Sequence, residues 1–436
     1  MINDVPRYLY RGENQYNREN IGMLMKAVMF KLDIWKAILR KLRIASKLIL
    51  AKYKTDWPDP VIQHANQVKI KTTMCGICAS DHHMLAIDTS YFPSITSSLD
   101  KIIPMGHEIL GVVTEIGAGV ASIQPGDRVV VNPARRCEMF GFTPCISCQR
   151  GNWAGCNTLA GIGDGSALEQ EYGGKRGIAG VTGGGFGEFI VGFEQQLYKV
   201  PDNIPDAVAV LVEPFAVGIH AVIRNPPSDD DVVLVFGAGI IGLMIIAAIR
   251  SYGSKCKILS IARYAFQGEA AKRLGADEVL HDRDRRQLYN DVASMTSGLL
   301  LKPALGKKAI FGGSGPAIIY DSIGTETSLD DSIHLVRYNG KIVIVGLGYS
   351  VTKHVDWAIP VYKEVELVGS LVYGMEAYSG SQMDDFTLAL QFLASDPEKY
   401  QRLVTHSFPI EKYKAAFGIS MKKGPAKAIK VVFKYD

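Results

Sequence analysis

No stretch of this 436-residue chain reaches the roughly 18–20 consecutive apolar residues that a bilayer span needs. Its opening, MINDVPRYLYRGENQYNREN, lacks the apolar run of a secretory signal, so the expected compartment is the cytoplasm. Charge of one sign is scarce too. A net value of +4 gives no ground for expecting a nucleic-acid partner. Cysteine is sparse, and seven is an odd number that suits no closed disulfide framework. A composition 47% apolar and 21% charged excludes a disordered or fibrous chain.

What is present is arranged unevenly. A chain this long outgrows one core, and two domains are expected. Residues 1–24 read as a loosely attached leader, followed by a strand over 25–30. Residues 33–52 read as a basic amphipathic helix with Asp33 as its N-cap. Trp35, Ile38, Leu39, Leu42 and Ile49 fall near one face, and Lys36, Arg40, Arg43 and Lys47 fall opposite. The expectation is that the apolar face packs on its own domain, in preference to a membrane surface or a partner. From Val68 to Phe193, short β-runs alternate with Gly- and Pro-rich turns, a texture that predicts a compact β-barrel. From about Glu213, apolar strands alternate with helices, as a parallel sheet covered on both faces requires.

Gly237-Ala-Gly239-Ile240-Ile241-Gly242 is a GxGxxG turn that leaves one of these strands and opens a helix. Such a turn brings backbone N–H groups and a helix N-terminus to a pyrophosphate. The next strand ends at Ala262-Arg263, where an NAD site usually carries an acid for the ribose hydroxyls. A neutral Ala262 repels no 2′-phosphate and Arg263 could pair with one, which favours NADP over NAD.

Two groups of residues suit metals. Cys78, His107 and one of Glu108 or Glu213 would supply the three ligands of a catalytic zinc, with Asp81 as a supporting carboxylate. Cys137, Cys145, Cys148 and Cys156 crowd into one short segment and would close a tetrahedral structural zinc site. A redox role for the CxxC within it lacks a βαβ setting. Cys75 and Cys256 read as buried, small apolar residues.

Taken in order, GICASDHH, GHEILGVVTEIGAGV, GDRV, the cysteine segment, EPFAVGIHA, GAGIIG and RLGADEV resemble the medium-chain zinc-dependent alcohol dehydrogenase family. The closer likeness is to its sorbitol and threonine dehydrogenase-like branch, over about residues 25–436. The resemblance implies an α/β chain. Its GroES-like β-barrel catalytic domain would comprise 25–213 and 369–436, with 33–52 as an insertion, and its doubly wound Rossmann domain 214–368. It implies zinc on Cys78, His107 and Glu108, with Glu213 exchanging, and a proton path from Ser80 to His83. His82 has no role in that pattern. The implied reaction is hydride transfer between a secondary alcohol or polyol and NAD(P), by a dimer or tetramer; apart from the resemblance, the inward packing expected of the 33–52 apolar face argues against membrane contact. The alternatives are a physiological aldehyde or ketone reductase, and a non-catalytic zinc protein that binds dinucleotide. Three departures stand out: Cys137 lies upstream of the usual spacing, residues 33–52 are inserted, and the acid at Ala262 is missing. For that reason no substrate is carried over.

Overall fold

The computed structural model describes residues 24–31, 33–87, 102–134, 136–156, 184–282, 284–304, 306–348 and 351–436. Six strands form a wholly parallel sheet: Val232–Phe236, Lys257–Ala262, Glu278–His281, Ile318–Asp321, Lys341–Ile344 and Glu366–Gly369. Numbered in chain order from Val232–Phe236, they lie 3-2-1-4-5-6. The apolar runs are continuous because both faces are covered. Val233 and Val235 point into one core, while Leu234 and Phe236 point into another. Between the first and fourth of these strands the order reverses, which opens a crevice at their C-terminal ends.

The remaining strands enclose a separate core. Gln67–Gly76 is flanked by Glu108–Ile116, Phe189–Phe193 and Lys430–Lys434, all antiparallel to it. The chain's last strand thus completes a sheet begun near its start. A second sheet, Ala51–Pro58, Leu24–Lys31 and Ile102–Pro104, closes over the same interior. Val28 and Phe30 meet Val68, Ile70, Phe186 and Phe433 there. This barrel-like packing, together with the doubly wound sheet, agrees with the fold expected from sequence. Helix Val212–Arg224 joins the two regions. It lies so close to helix Ile240–Ser251 that a Cβ on Gly218 would stand 2.8 Å from the Met244 carbonyl carbon.

Two expectations need correction. Helix 33–52 is only Ile34–Lys41, capped by the Asp33 carboxylate on the Lys36 N–H. Arg43 turns left-handed at φ 59 and stops it. Residues from Ala51 onward are drawn into strand pairing with Leu24–Lys31, an energy that local helical periodicity does not include. The apolar face is also exposed, with Trp35 at 76%, Ile44 at 71% and Leu42 at 61% of full exposure. Ala37 is the apolar side chain of this helix that packs on the core. Residues 1–23, the greater part of the expected leader, lie outside the described residues. Among those described, no helix is long and apolar enough to cross a membrane.

Candidate active site and metal centres

The site begins where strand Gln67–Gly76 ends. Cys78 is extended, at φ −97 and ψ 162, and caps helix Ala79–Ala86. The carboxylate of Asp81, one turn inside, accepts the Cys78 N–H at 2.9 Å and holds the cap closed. Opposite, Gly106 takes φ +83, where a side chain would press on the Phe186 ring. That turn releases His107 and sends Glu108 into strand Glu108–Ile116. Ligand atoms of Cys78, His107 and Glu108 all lie within 4.8 Å of one another.

Electrostatics distinguish these groups. Asp81 is buried, with Oδ1 4.0 Å from His107 Nδ1. Burial pulls His107 down, but Cys78, Asp81 and Glu213 outweigh it and hold the imidazole well above its ordinary value. Burial pushes the Glu213 carboxyl up to about 7, against the pull of His107, and Tyr373 hydrogen-bonds it. Glu108 is held differently. Lys430 Nζ donates to its two oxygens at 2.6 and 2.5 Å, with both side chains 1% exposed. A Cβ at Gly76 would collide with this carboxylate, so glycine makes room for the pair. Neither Lys430 nor Tyr373 was singled out from sequence. The one available signal was a lysine inside the apolar strand AIKVVFKY.

Ser80 sits in the first turn of helix Ala79–Ala86, and its buried Oγ has no hydrogen-bond partner among the described residues. His83 follows one turn later, on the same face. His82 points elsewhere. Its ring meets the Phe417 edge at 5.3 Å and its Nε2 lies 2.8 Å from Ser420 Oγ, while burial takes its pKa down to about 4.

The four cysteines of the second group also converge, with Sγ atoms within 4.8 Å of one another. Cys137 is among them despite its upstream position. It lies 3.6 Å from Cys156 and accepts the Cys145 N–H at 3.4 Å. Burial pushes the Cys137 thiol up, against the pull of that N–H, so four thiolates there need a cation. Cys75 and Cys256 are fully buried in the cores.

At the dinucleotide turn, Gly237 has φ +99, where only glycine is unstrained. A Cβ on Gly242 would collide with the Gly237 carbonyl, whereas one on Gly239 would meet nothing within 4 Å. The open cradle therefore lies at Gly239, beside the half-buried Ile240 and Ile241 that start the helix. Ala262 is fully buried at the end of its strand and Arg263 beyond it is exposed.

A third buried group, His220, Glu376 and Asp385, is spaced closely enough for a metal. His220 Nδ1 already lies 2.7 Å from Glu376 and 3.2 Å from Asp385, and Arg224 bonds Glu376 at 2.8 Å. Two cationic side chains balance two carboxylates, and no ion is called for.

Residues 64–202 match the model of the alcohol dehydrogenase GroES-like domain, and residues 241–395 match that of the zinc-binding dehydrogenase. Sorbitol dehydrogenase of Ovis aries is 30% identical over 392 residues, covering 89% of this chain and 94% of that one. L-idonate 5-dehydrogenase of Vitis vinifera is 26% identical over 374 residues, covering 84% and 87%. An Escherichia coli alcohol dehydrogenase solved with NADH has a TM-score of 0.67 at 23% identity, covering 95% of this chain and 100% of that one.

Proposed function

This chain belongs to the zinc-dependent medium-chain alcohol dehydrogenase family, in its sorbitol dehydrogenase-like branch, and on that footing we propose that it oxidises a secondary hydroxyl of a polyol at the Cys78–His107 cluster. It is an oxidoreductase of CH–OH groups that uses zinc and a nicotinamide dinucleotide. The observation that carries the reading is the convergence of thiol, imidazole and carboxylate within 4.8 Å. That donor set suits zinc. Asp81 and Glu213 face His107 with no Lys or Arg bonded to either among the described residues, which leaves room for a cation's charge.

Cys78, His107 and a carboxylate, Glu108 or Glu213, would hold the ion, which supplies Lewis acidity to the substrate oxygen. Asp81 fixes the Cys78 backbone and faces His107, so it orients both. Ser80 Oγ, buried and without a hydrogen-bond partner among the described residues, takes the hydroxyl proton and hands it toward His83. Gly237, Gly239, Ile240, Ile241 and Gly242 would cradle the dinucleotide, which would supply the hydride acceptor. Cys137, Cys145, Cys148 and Cys156 hold a structural zinc. The catalytic part comprises 25–213 and 369–436, the dinucleotide part 214–368. Helix Val212–Arg224 crosses one boundary and strand Glu366–Gly369 the other. A homo-oligomer, dimer or tetramer, and a cytoplasmic setting complete the reading, the latter because four of the seven cysteines gather as metal ligands, a usage that suits a reducing compartment.

NADP is the preferred coenzyme, since Ala262 is neutral and Arg263 is exposed to meet a 2′-phosphate. Turnover of a polyol panel with each coenzyme tests this. Activity with NADP should exceed that with NAD, and Arg263→Ala should cost about tenfold in kcat/KM for NADP alone, roughly 1.4 kcal/mol. Equal losses with both coenzymes would assign Arg263 elsewhere.

A further inference from the structure

The segment between strands Leu24–Lys31 and Ala51–Pro58 is built inside out. Helix Ile34–Lys41 turns Lys36, Ala37 and Arg40 toward the body of the protein, where they are half-buried. Ile34, Trp35, Ile38, Leu39 and, just past its end, Leu42 face outward and are exposed. Ile44 continues the same exposure. A contiguous apolar patch of this kind, rimmed by charge, marks a contact surface. It is firmly mounted, because Leu50 is buried in the barrel core and Leu48 and Ile49 pack against it.

Charge identifies what it meets. Residues 31–54 contain eight basic side chains and a single acid, Asp33, a net +7 in a chain whose total is +4. The rest of the molecule is therefore slightly acidic, and the cationic field is concentrated where the apolar side chains emerge. Lys41, Arg43 and Lys47 are exposed beside the patch. A second copy docking face to face would bring two such +7 segments together, which like-charge repulsion opposes. Eight helical residues span only about 12 Å, too short to cross a bilayer. A Trp-bearing apolar face flanked by Lys and Arg is instead the composition of a helix lying in the headgroup region of an anionic membrane.

We propose that residues 34–47 dock this enzyme peripherally on an anionic lipid surface, with Trp35, Ile38 and Leu42 inserted and Lys41, Arg43 and Lys47 paired with headgroup anions. This replaces the expectation of no membrane contact, which rested on the apolar face packing inward. Lys47 lies close enough to His82 to act on it electrostatically, but Trp35, Lys41, Leu42 and Arg43 are none of the residues placed at the Cys78–His107 cluster, so turnover in solution does not depend on those four.

The test is sedimentation of the full chain with vesicles of phosphatidylcholine alone or mixed with phosphatidylserine, at low and high salt. The full chain should pellet with the mixed vesicles, stay in solution with phosphatidylcholine, and release as salt rises. Trp35→Ser with Leu42→Ser, and separately Lys41→Glu with Arg43→Glu, should each lower binding at least tenfold while dehydrogenase turnover in solution is unchanged. Five results would overturn the proposal. These are no pelleting with mixed vesicles, equal salt-insensitive binding to both, or variants that bind as well as the parent chain. The fourth is binding that appears only after residues 1–23 are removed, which would make that segment the occupant. A patch variant that splits an oligomer without altering vesicle binding would give the face to a second copy and overturn it as well.

Discussion

Helix Val212–Arg224 carries an acid at its start and an imidazole about two turns later, and the two live in different electrostatic company. Around His220 every charge has been answered within the protein. Glu376 and Asp385 both bond its Nδ1, and Arg224 bonds Glu376. Around Glu213 the account is open. Asp81 and Glu213 both face the imidazole of His107, with Lys430 already bonded to Glu108, Cys78 presents a thiol, and Ser80 Oγ has no hydrogen-bond partner among the described residues. Proximity of potential ligands is alike in the two groups, so spacing alone does not mark a metal centre. Unbalanced charge and unused donors do.

That contrast can be broken most forcefully at its open end. Replacing His107 with Ala should cut turnover at least about a thousandfold, roughly 4 kcal/mol, because Lewis-acid stabilisation is lost. The matching substitution His220→Ala should leave a measurable kcat. Comparable loss in both, followed by coenzyme absorbance, would erase the distinction. Next in size is Lys430→Met, which strands Glu108 as an unpaired buried charge and should cost about 3–5 kcal/mol in denaturant unfolding. Ser80→Ala should lower kcat about a hundredfold with KM little changed, since it removes a proton acceptor rather than a binding contact.

The smallest effect sharpens the closed end. Burial pulls His220 down, but its bonds to Asp385 and Glu376 outweigh this and hold it above its ordinary 6.5. A raised folded-state value means the native protein binds this proton more tightly. The stabilisation is full below pH 6.5 and fades as pH rises through the raised value. His220→Gln should therefore cost about 2 kcal/mol in acid and progressively less in alkali. Thermal unfolding across pH reads this directly, and a cost that grows with pH would reverse the assignment.

Much of this was legible before any coordinates. Gly237 and Gly242 stand out because a tight turn and a close approach of helix to backbone each exclude a side chain, while Gly239 leaves the cradle between them open, and a motif records all three. The mixed donors at Cys78, His107 and Glu108 were legible as chemistry. Lys430 was not, because it reaches Glu108 across 322 residues and only the closing of the barrel by the last strand brings it there. Tyr373 beside Glu213 escaped for the same reason. Residues 34–42 teach a different limit. Periodicity reported an amphipathic helix correctly, but a periodic pattern carries no information on which face meets the protein. Here the apolar face is the exposed one.

Zinc content per chain, measured by elemental analysis on the parent protein and on Cys78→Ala, tests the account at its centre. The parent should hold two zinc ions, one for each cluster. Cys78→Ala should keep one, on the four cysteines, and lose turnover. Two ions retained in that variant, or full turnover with one, would contradict it.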